Sequence, residues 1–402
     1  MSCHYFNTTG LCDRYVCDAS PHGTLYIPAT LVGGHTNPGN VEASVTGECP
    51  WYTFNSDKPM VSGFCDGDYL SQPHFLHDSI ICTCGRNLTV DEQLKKLAEI
   101  ALTMDNVQSV LDNATSISER SQNISVDGVH SAIDIIVNAV DVQSPEPMVA
   151  NGVIGVLNNV MDVNPEILED IVYTNALNDA TLALETQLQN VQVSEGDPYR
   201  NVRANLAAEV HEVSGSELQN GLGIVSAGAA AEALIDENIV LLDSQQLVDE
   251  FRPEADTLIF IPASVFDTAK DTESEMIRVT FAFFSTPVLF KSVSLAESNS
   301  NNQDYQRDIN TRVLSCTVGG IRIINLEEPI RTVFQRVSSD YFNTANNSAC
   351  VYWDYEADSG RGNWSTEGCR TIGEIQNGRQ ECECDHLTNF AVLMVRPLLV
   401  AK

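Results

Sequence analysis

The sequence predicts an α+β protein of several domains, in which a small disulfide-rich module precedes a helical subdomain packed beside an antiparallel β-sandwich. Three observations predict this fold class. Seven of the twelve cysteines lie before residue 85, apolar residues recur at helical spacing in the middle of the chain, and short alternating strands follow. A chain of 402 residues is also longer than one ordinary domain. We therefore assign the module to residues 1–86, the helical subdomain to 87–215 and the sandwich to 216–402.

The N-terminal module is rich in cysteine, glycine, proline and aromatic residues, and it contains strand-like runs such as Gly23-Thr-Leu-Tyr-Ile-Pro-Ala-Thr. Its C-x-C pair at Cys82 and Cys84, like the later pair at Cys382 and Cys384, lacks the well-spaced second pair of ligands that a zinc site needs. The cysteines therefore predict disulfides. We predict neither a metal nor a cofactor.

The helical subdomain begins with Thr89-Val-Asp-Glu92, which has the form of a capping box. Apolar residues then recur every three or four positions, and Pro147 and Pro165 stand where helices would start. Five amphipathic helices are expected to pack through these stripes. The stripes are Leu94, Leu97, Ala101 and Met104; Val129, Ile133, Ile136 and Val140; Val149, Val153, Val156 and Val160; Leu177, Ala180, Leu184 and Leu188; and Val202, Leu206 and Val210.

After residue 216 the apolar period shifts to two, as in Ile277, Val279, Phe281 and Phe283. Turn signals separate many short runs of this kind, which is typical of a β-sandwich. The stretch 382–394, CECDHLTNFAVLM, would be its last strand. Cys316 stands between the two cysteine clusters and is either a buried thiol or the partner of an N-terminal cysteine.

Composition indicates the compartment and excludes one class of partner. With 22 basic against 55 acidic residues, the net charge of -33 would repel nucleic acid. Six glycosylation sequons accompany the cysteines and indicate an oxidising, secretory compartment. The chain starts without a signal-peptide pattern and has no run of about eighteen apolar residues, so we expect a piece of a longer precursor. The sequons are at Asn7, Asn87, Asn113, Asn123, Asn346 and Asn363.

His386-Leu387-Thr388 contains the groups that one acyl transfer needs. The Thr388 hydroxyl can attack the carbonyl carbon of Leu387 if a base removes its proton, and His386 is suited to that role near neutral pH. The attack would convert the amide to an ester, which water would cleave. The fold would have to hold this bond in a tight, distorted turn and supply donors to the oxyanion.

The C-terminal cysteines lie in a specific frame of tryptophans, glycines and histidine. It reads Cys350-Val-Tyr-Trp353, Gly362-Asn-Trp364-Ser, Gly368-Cys369 and Cys382-Glu-Cys384-Asp-His386-Leu387-Thr388. This frame resembles the proteolysis-site (GPS) motif of adhesion G-protein-coupled receptors, here over residues 350–395. The resemblance implies that the helical subdomain and the sandwich together form the autoproteolysis-inducing (GAIN) domain. It also implies disulfides Cys350–Cys382 and Cys369–Cys384.

The N-terminal module resembles the hormone-receptor motif of the same family, through Tyr26-Ile-Pro-Ala-Thr-Leu-Val-Gly-Gly and Gly47-Glu-Cys-Pro. It departs from that motif at Ile27, where the family usually has tryptophan. In the family such modules accompany the cleavage domain without necessarily binding a hormone.

The family resemblance implies a location and a function. The chain would be the extracellular region of a receptor at the plasma membrane, and it would cut itself once between Leu387 and Thr388 rather than act as a turnover enzyme. Its partners would be its own C-terminal strand, a following seven-helix membrane domain, a G protein through that domain, and an extracellular protein or matrix ligand. The strand would be a masked tethered agonist, of which Phe390, Leu393 and Met394 would enter the receptor core. Its residues are Thr388, Asn389, Phe390, Ala391, Val392, Leu393 and Met394.

Three alternatives remain open at this stage. The motif also suits a polycystin-like channel component, and the domain could be a structural adhesion module that does not cleave. A turnover enzyme or lectin with purely structural cysteines is the third, but no second triad, phosphate loop or metal cluster in the sequence supports it.

Overall fold

A computed structural model describes residues 51–56, 86–194, 196–230, 232–269, 276–301, 305–337, 348–375 and 378–397, together with short strands in the first 83 residues. The chain forms two compact units, Met1–Gln93 and Leu94–Lys402. The fold class predicted from the sequence, strands followed by a helical subdomain and an antiparallel sandwich, is confirmed. The bounds of the three domains remain a prediction.

The described residues of the first unit include eight short strands in three antiparallel sheets, ordered β1-β2-β3, β4-β6-β7 and β5-β8. The run predicted as a strand from Gly23 is β3. The pairing of the cysteines in this module lies outside the described residues. The strands are β1 (Ser2–Tyr5), β2 (Tyr15–Ala19), β3 (Gly23–Ile27), β4 (Gly39–Asn40), β5 (Met60–Ser62), β6 (Phe64–Asp66), β7 (His74–Phe75) and β8 (Ile81–Thr83).

The predicted capping box is present at the start of the first helix. The backbone N–H of Thr89 donates to Glu92 Oε2 at 2.8 Å, and the backbone N–H of Glu92 donates to Thr89 Oγ1 at 3.3 Å. Arg86 adds an ion pair to Glu92 at 2.6 Å. These exposed contacts satisfy backbone donors that a helix start otherwise leaves free.

Six helices form the helical layer, and their buried faces carry the predicted stripes from Val129 to Leu188. Pro147 and Pro165 stand at the first positions of their helices, as predicted. The first stripe is shorter than predicted, because the helix ends at Ala98 and Met104 is exposed. The helices are α1 (Val90–Ala98), α2 (Val107–Ser118), α3 (Val126–Asp141), α4 (Pro147–Val160), α5 (Pro165–Ile171) and α6 (Ala176–Asn190).

The predicted fifth helix is wrong. Val202 ends strand β9 (Tyr199–Val202), and the residues from Leu206 to Val210 begin strand β10 (Leu206–Ser214). These five residues of β10 are all buried, because the strand has the sandwich interior on one side and α4 on the other. A strand covered on both faces does not alternate, so its apolar residues can match a helical spacing by accident.

The sandwich consists of an eight-stranded and a six-stranded sheet, both antiparallel. The first has the order β19-β18-β22-β16-β14-β10-β9 with β15 also paired to β22, and the second has the order β12-β11-β13-β17-β21-β20. Side chains such as Phe281, Phe334 and Phe390 fill the space between the sheets. The remaining elements are β11 (Leu222–Ala227), β12 (Ile239–Leu242), α7 (Gln245–Phe251), β13 (Ala255–Ile261), α8 (Ala263–Ala269), β14 (Met276–Phe284), α9 (Val293–Asn301), β15 (Tyr305–Ile309), β16 (Val313–Val318), β17 (Ile330–Gln335), β18 (Ser348–Asp354), β19 (Asn363–Ser365), β20 (Cys369–Ile375), β21 (Arg379–Cys384) and β22 (Asn389–Pro397).

The last strand occupies an interior position of the larger sheet. Strand β22 pairs with β18 on one side and with β16 and β15 on the other. Its predecessor β21 belongs to the other sheet. The four residues Asp385–Thr388 therefore cross from one layer of the sandwich to the other. None of the helices in the described part of the chain is both long and apolar enough to cross a membrane.

Candidate functional site

The crossing segment between β21 and β22 contains the bond singled out from the sequence. Its backbone is held by hydrogen bonds to three neighbouring segments. The N–H of Asp385 donates to Gly368 O at 3.0 Å, and the N–H of Leu387 donates to Ile323 O at 3.1 Å. The carbonyl of Thr388 accepts from the N–H of Cys316 at 3.1 Å. The peptide bond between Leu387 and Thr388 thus has a fixed place in the fold.

Two disulfides flank this segment, with the pairing that the family resemblance implies. Cys350 on β18 is bonded to Cys382 on β21, so this bridge joins the two sheets. Cys369 on β20 is bonded to Cys384 on β21, its direct neighbour in the same sheet. Because Cys384 immediately precedes Asp385, the crossing segment starts from a cross-linked residue.

His386 is buried, and its ring lies beside two aromatic side chains. The ring centroids of Tyr352 and Phe390 lie 4.3 Å and 5.8 Å from the His386 centroid. Its Nδ1 lies 2.9 Å from Asp385 Oδ1, and its Nε2 lies 4.0 Å from Cys369 Sγ. Because an ionised carboxylate only accepts hydrogen bonds, this contact favours the ring tautomer that carries its hydrogen on Nδ1 and has Nε2 as the acceptor.

Gly368 allows the contact between Asp385 and His386. A Cβ at this position would overlap Asp385 Oδ1 and lie 2.9 Å from His386 Nδ1. The glycine also has a φ of +71°, which side chains other than glycine rarely adopt. The glycine before Cys369 in the motif is therefore explained by the space that this side-chain pair occupies.

Thr388 is half-buried, and its hydroxyl donates to the carbonyl oxygen of Trp353 at 3.4 Å. The structure contains no hydrogen bond between this hydroxyl and His386, although both side chains are described. No donor in the described part of the chain contacts the carbonyl oxygen of Leu387. Residues 385–388 all have negative φ. The sign of φ therefore gives no indication of the distorted turn that the sequence predicts.

Trp353 and Trp364 are packed with Phe290. The Trp353 ring centroid lies 5.6 Å from that of Phe290 and 5.2 Å from that of Trp364. The indole N–H of Trp353 donates to Asn178 Oδ1 on α6 at 2.8 Å. Because the carbonyl of Trp353 accepts from the Thr388 hydroxyl, this tryptophan connects the helical layer to the candidate bond.

Sequence reasoning missed a carboxylate beside the strand. Glu185 on α6 accepts a hydrogen bond from Asn389 Nδ2 at 2.9 Å, and burial raises its pKa above the ordinary value for glutamate. The spacing of polar residues along α6 could have indicated Glu185 in the sequence. Glu185 lies seven residues after Asn178, which places both on one face of α6, among residues that pack inward.

Most of the residues predicted as the masked strand are buried. Phe390, Val392 and Met394 belong to the core cluster between the sheets, and Asn389 is buried as well. Leu393 is half-buried. The alternation expected of a strand therefore places three apolar side chains in the sandwich core.

Four of the six sequons lie among the described residues. Asn87 and Asn123 are exposed, whereas Asn113 and Asn363 are half-buried; Asn7 and Asn346 lie outside the described residues. Cys316 is a buried free thiol, which decides between its two interpretations. The described residues contain no group of His, Cys, Asp and Glu side chains arranged to hold a metal ion.

A family model and known proteins match this architecture. Residues 238–397 match the model of the GAIN subdomain B. Zebrafish (Danio rerio) adhesion G-protein coupled receptor G6 is 24% identical over 250 residues, which are 61% of this chain and 18% of the relative. Rat (Rattus norvegicus) adhesion G-protein coupled receptor G2 is 31% identical over 137 residues, which are 34% of this chain and 12% of the relative. The chain thus spans under a fifth of either relative.

A solved structure shows the same fold. The full extracellular region of zebrafish Gpr126/Adgrg6 superimposes with a TM-score of 0.59 at 18% identity, covering 90% of this chain and 41% of that one. Helical layer, sandwich and disulfide-flanked crossing define a GAIN domain with a GPS motif. The chain contains a GAIN subdomain B, and it is similar to the extracellular regions of adhesion G-protein coupled receptors.

Proposed function

We propose that this domain cleaves its own chain once, between Leu387 and Thr388, and keeps the C-terminal strand as a masked agonist. The observation that carries the proposal is the orientation of His386. Its Nδ1 is engaged by Asp385, which leaves Nε2 as the proton acceptor. His386 lies two residues before Thr388, whose hydroxyl would be the nucleophile.

The chemistry is an acyl shift followed by hydrolysis. The Thr388 oxygen attacks the Leu387 carbonyl carbon while His386 accepts the hydroxyl proton. The tetrahedral intermediate then loses its C–N bond, and the leaving nitrogen of Thr388 takes a proton to become an amine. Water cleaves the resulting ester, which leaves a carboxylate on Leu387 and restores the Thr388 hydroxyl. One bond is broken per molecule, so the domain is not a turnover enzyme.

The Thr388 side chain has to move before this reaction starts. Its hydroxyl is directed at the carbonyl of Trp353, at a long 3.4 Å, rather than at His386. Hydrogen bonds of this length are weak, and catalytic contacts commonly tighten only as the reacting groups come together. A rotation of the Thr388 side chain would release the hydroxyl toward the base.

Retention of the cut strand follows from its position in the sheet. Strand β22 has hydrogen-bonded neighbours on both edges, and Phe390, Val392 and Met394 are buried in the core. Burial of one such side chain is worth roughly 1.5–3 kcal/mol, so the three together hold the strand without a covalent link. The strand's own sandwich is therefore its first partner.

The partners of the whole receptor belong to the same proposal. The relatives are adhesion G-protein coupled receptors, which supports a seven-helix membrane domain after this region and a G protein bound to that domain. The sequons and disulfides support display on the extracellular face of the plasma membrane, where a protein or matrix ligand would bind. Pulling β22 out of the sheet would expose Phe390, Leu393 and Met394 to the membrane domain.

Intact-mass spectrometry of the secreted, deglycosylated protein tests the cleavage. Wild type should give a separate peptide that begins at Thr388, and Thr388→Ala and His386→Ala should each remain one mass. Thr388→Ser is the matched control, because it keeps a hydroxyl and should still be cut. A single uncut wild-type mass would exclude autoproteolysis.

A structural adhesion module that does not cleave is the second candidate function. It is favoured by one observation, the absence of a hydrogen bond between His386 and the Thr388 hydroxyl. The same mass measurement separates the two candidates. The relatives are receptors, and this favours a receptor over a polycystin-like channel component.

A further inference from the structure

Helix α6 presents a row of polar side chains to the eight-stranded sheet and its loops. Asn178 Nδ2 donates to the carbonyl of Gly360 at 2.9 Å, and Gln189 Nε2 donates to Thr317 Oγ1 at 2.6 Å. Glu185 lies between them on the same face of the helix. The helical layer is therefore joined to the sheet by directional hydrogen bonds as well as by apolar packing.

Glu185 is the member of this row that reaches the strand after the candidate bond. Its Oε1 accepts hydrogen bonds from Ser315 Oγ at 3.0 Å, Tyr355 Oη at 2.8 Å and Asn389 Nδ2 at 2.9 Å. The Tyr355 hydroxyl also accepts from Asn389 Nδ2 at 2.7 Å. Three strands or loops thus meet at one carboxylate oxygen.

We propose that Glu185 is a positioning residue for the Leu387–Thr388 bond, acting through Asn389, and that it anchors the start of β22 to the helical layer. The Asn389 amide nitrogen lies 2.9 Å from Glu185 Oε1 and 2.7 Å from Tyr355 Oη, and these two oxygens are themselves 2.8 Å apart. The amide is therefore held against the hydrogen-bonded pair of Glu185 and Tyr355. Because Asn389 directly follows Thr388, holding its side chain limits how far the nucleophile's backbone can turn.

A carboxylate is suited to this position because it only accepts hydrogen bonds. Ser315 and Asn389 both donate to it, and a carboxylate has about four lone-pair directions to offer. The other groups that face Glu185 are neutral, since burial raises the pKa of the Cys316 thiol and of the Tyr355 hydroxyl. No cation in the described part of the chain forms an ion pair with this carboxylate, so its hydrogen bonds hold the start of β22.

The first measurement is the rate of cleavage, and this half of the proposal rests on the proposed function. In pulse-chase expression, Glu185→Ala should slow cleavage about 10- to 100-fold, the loss that a small misplacement of reacting groups causes. Glu185→Gln keeps an acceptor oxygen and should recover at least part of the rate. Asp179→Asn is the matched control, because it neutralises an exposed carboxylate of the same helix and should cleave like wild type.

The second measurement does not depend on cleavage. In a Thr388→Ala background, the amides of residues 389–394 should exchange hydrogen faster by at least tenfold with Glu185→Ala than with Asp179→Asn. If Glu185→Ala fails to fold, Tyr355→Phe removes the hydroxyl that contacts both Glu185 and Asn389 and takes its place.

The two measurements separate the possible failures. Slow cleavage with fast exchange, and rescue by Glu185→Gln, would support the proposal. Fast exchange with an unchanged cleavage rate would overturn the positioning role, and unchanged exchange would overturn the anchor. If wild type is not cleaved at all, the proposed function fails, and the exchange rates alone decide whether Glu185 anchors the strand.

Discussion

Asp256 inside the sandwich and the half-buried Glu185 on α6 are held in opposite ways. Asp256 Oδ2 lies 2.9 Å from Arg312 Nη1 and accepts from Ser226 Oγ at 3.0 Å, and both charged side chains are at most 2% exposed. In the described part of the chain, Glu185 accepts hydrogen bonds from the neutral side chains of Ser315, Tyr355 and Asn389. Burial raises the pKa of both carboxyl groups above their ordinary values.

The two sites connect different parts of the molecule. Asp256 lies on β13 of the six-stranded sheet and Arg312 directly precedes β16 of the other, so their ion pair connects the two layers. Arg312 also donates to the carbonyl of Glu232 at 2.9 Å. The Asp256–Arg312 ion pair thus connects segments that stay together. The hydrogen bonds of Glu185 instead hold the strand β22, which the proposed function requires to be released.

The largest effect is expected for Arg312→Ala, which leaves Asp256 buried without its cation. Breaking a buried ion pair from one side costs about 3–5 kcal/mol, so the free energy of unfolding should fall by that amount in a denaturant titration. Arg322→Ala is the control, because Arg322 is 73% exposed and its ion pair at 3.7 Å should contribute little. A loss below about 1 kcal/mol for Arg312→Ala would show that the pair does not hold the layers together.

A smaller effect is expected for Gly368→Ala, which should disturb the Asp385–His386 pair and leave the contacts of Asp256 and Glu185 intact. The strained φ and the overlap with Asp385 Oδ1 should cost about 1–3 kcal/mol and abolish most cleavage. Gly378→Ala is a matched control, because Gly378 has a φ of +73° and no atom within 4 Å of its added Cβ. It should lose stability through strain alone and still be cut. Equal cleavage in the two variants would argue against the role of Gly368.

The third prediction compares the hydroxyl donors of the two carboxylates. Ser315→Ala should lower the free energy of unfolding by about 1.5–3 kcal/mol, the range for a hydrogen bond to a charged group, and we expect the lower end. Ser226→Ala should cost less, because Arg312 still compensates Asp256. Urea titrations of the two variants give the order, and a larger loss for Ser226→Ala would reverse the comparison.

The smallest effect concerns pH. A carboxyl group whose folded pKa is raised binds protons more readily in the native state, so its contribution to stability falls as pH rises from its ordinary value of 4.5 through the raised value. Wild type should therefore lose stability relative to Glu185→Gln over this window, by at most about 1.4 kcal/mol per pH unit. Asp256 affects both proteins equally. Unfolding titrations at several pH values measure the difference, and parallel curves would contradict it.

Much of the fold was predictable because it depends on local pattern. The stripes from Val129 to Leu188 predicted the helices, and the capping box at Thr89 predicted where the first one begins. Strand β10 was not predictable in the same way. Its apolar run is explained only by α4 and the sandwich interior covering opposite faces, which no local pattern reports.

The candidate site was predictable where its residues are close in sequence. His386, Leu387 and Thr388 form one tripeptide, and the resemblance of the motif implied both disulfides. Glu185 was not predictable, because more than two hundred residues separate it from Asn389. The role of Asp385 was not predictable either, because only the structure shows that its carboxylate lies within hydrogen-bond distance of His386 Nδ1.

The sequence by itself singled out the candidate bond, because a hydroxyl, an imidazole and the peptide bond between their residues are neighbours along the chain. The tertiary structure decided what surrounds that bond. It placed the bond where the chain crosses between two sheets, directed the Thr388 hydroxyl toward Trp353 instead of His386, and brought Glu185 from the helical layer to Asn389. These contacts form between segments that are far apart in the sequence. Hydrophobic burial brings such segments together, and because it is non-directional, the local sequence pattern does not show which of them will meet.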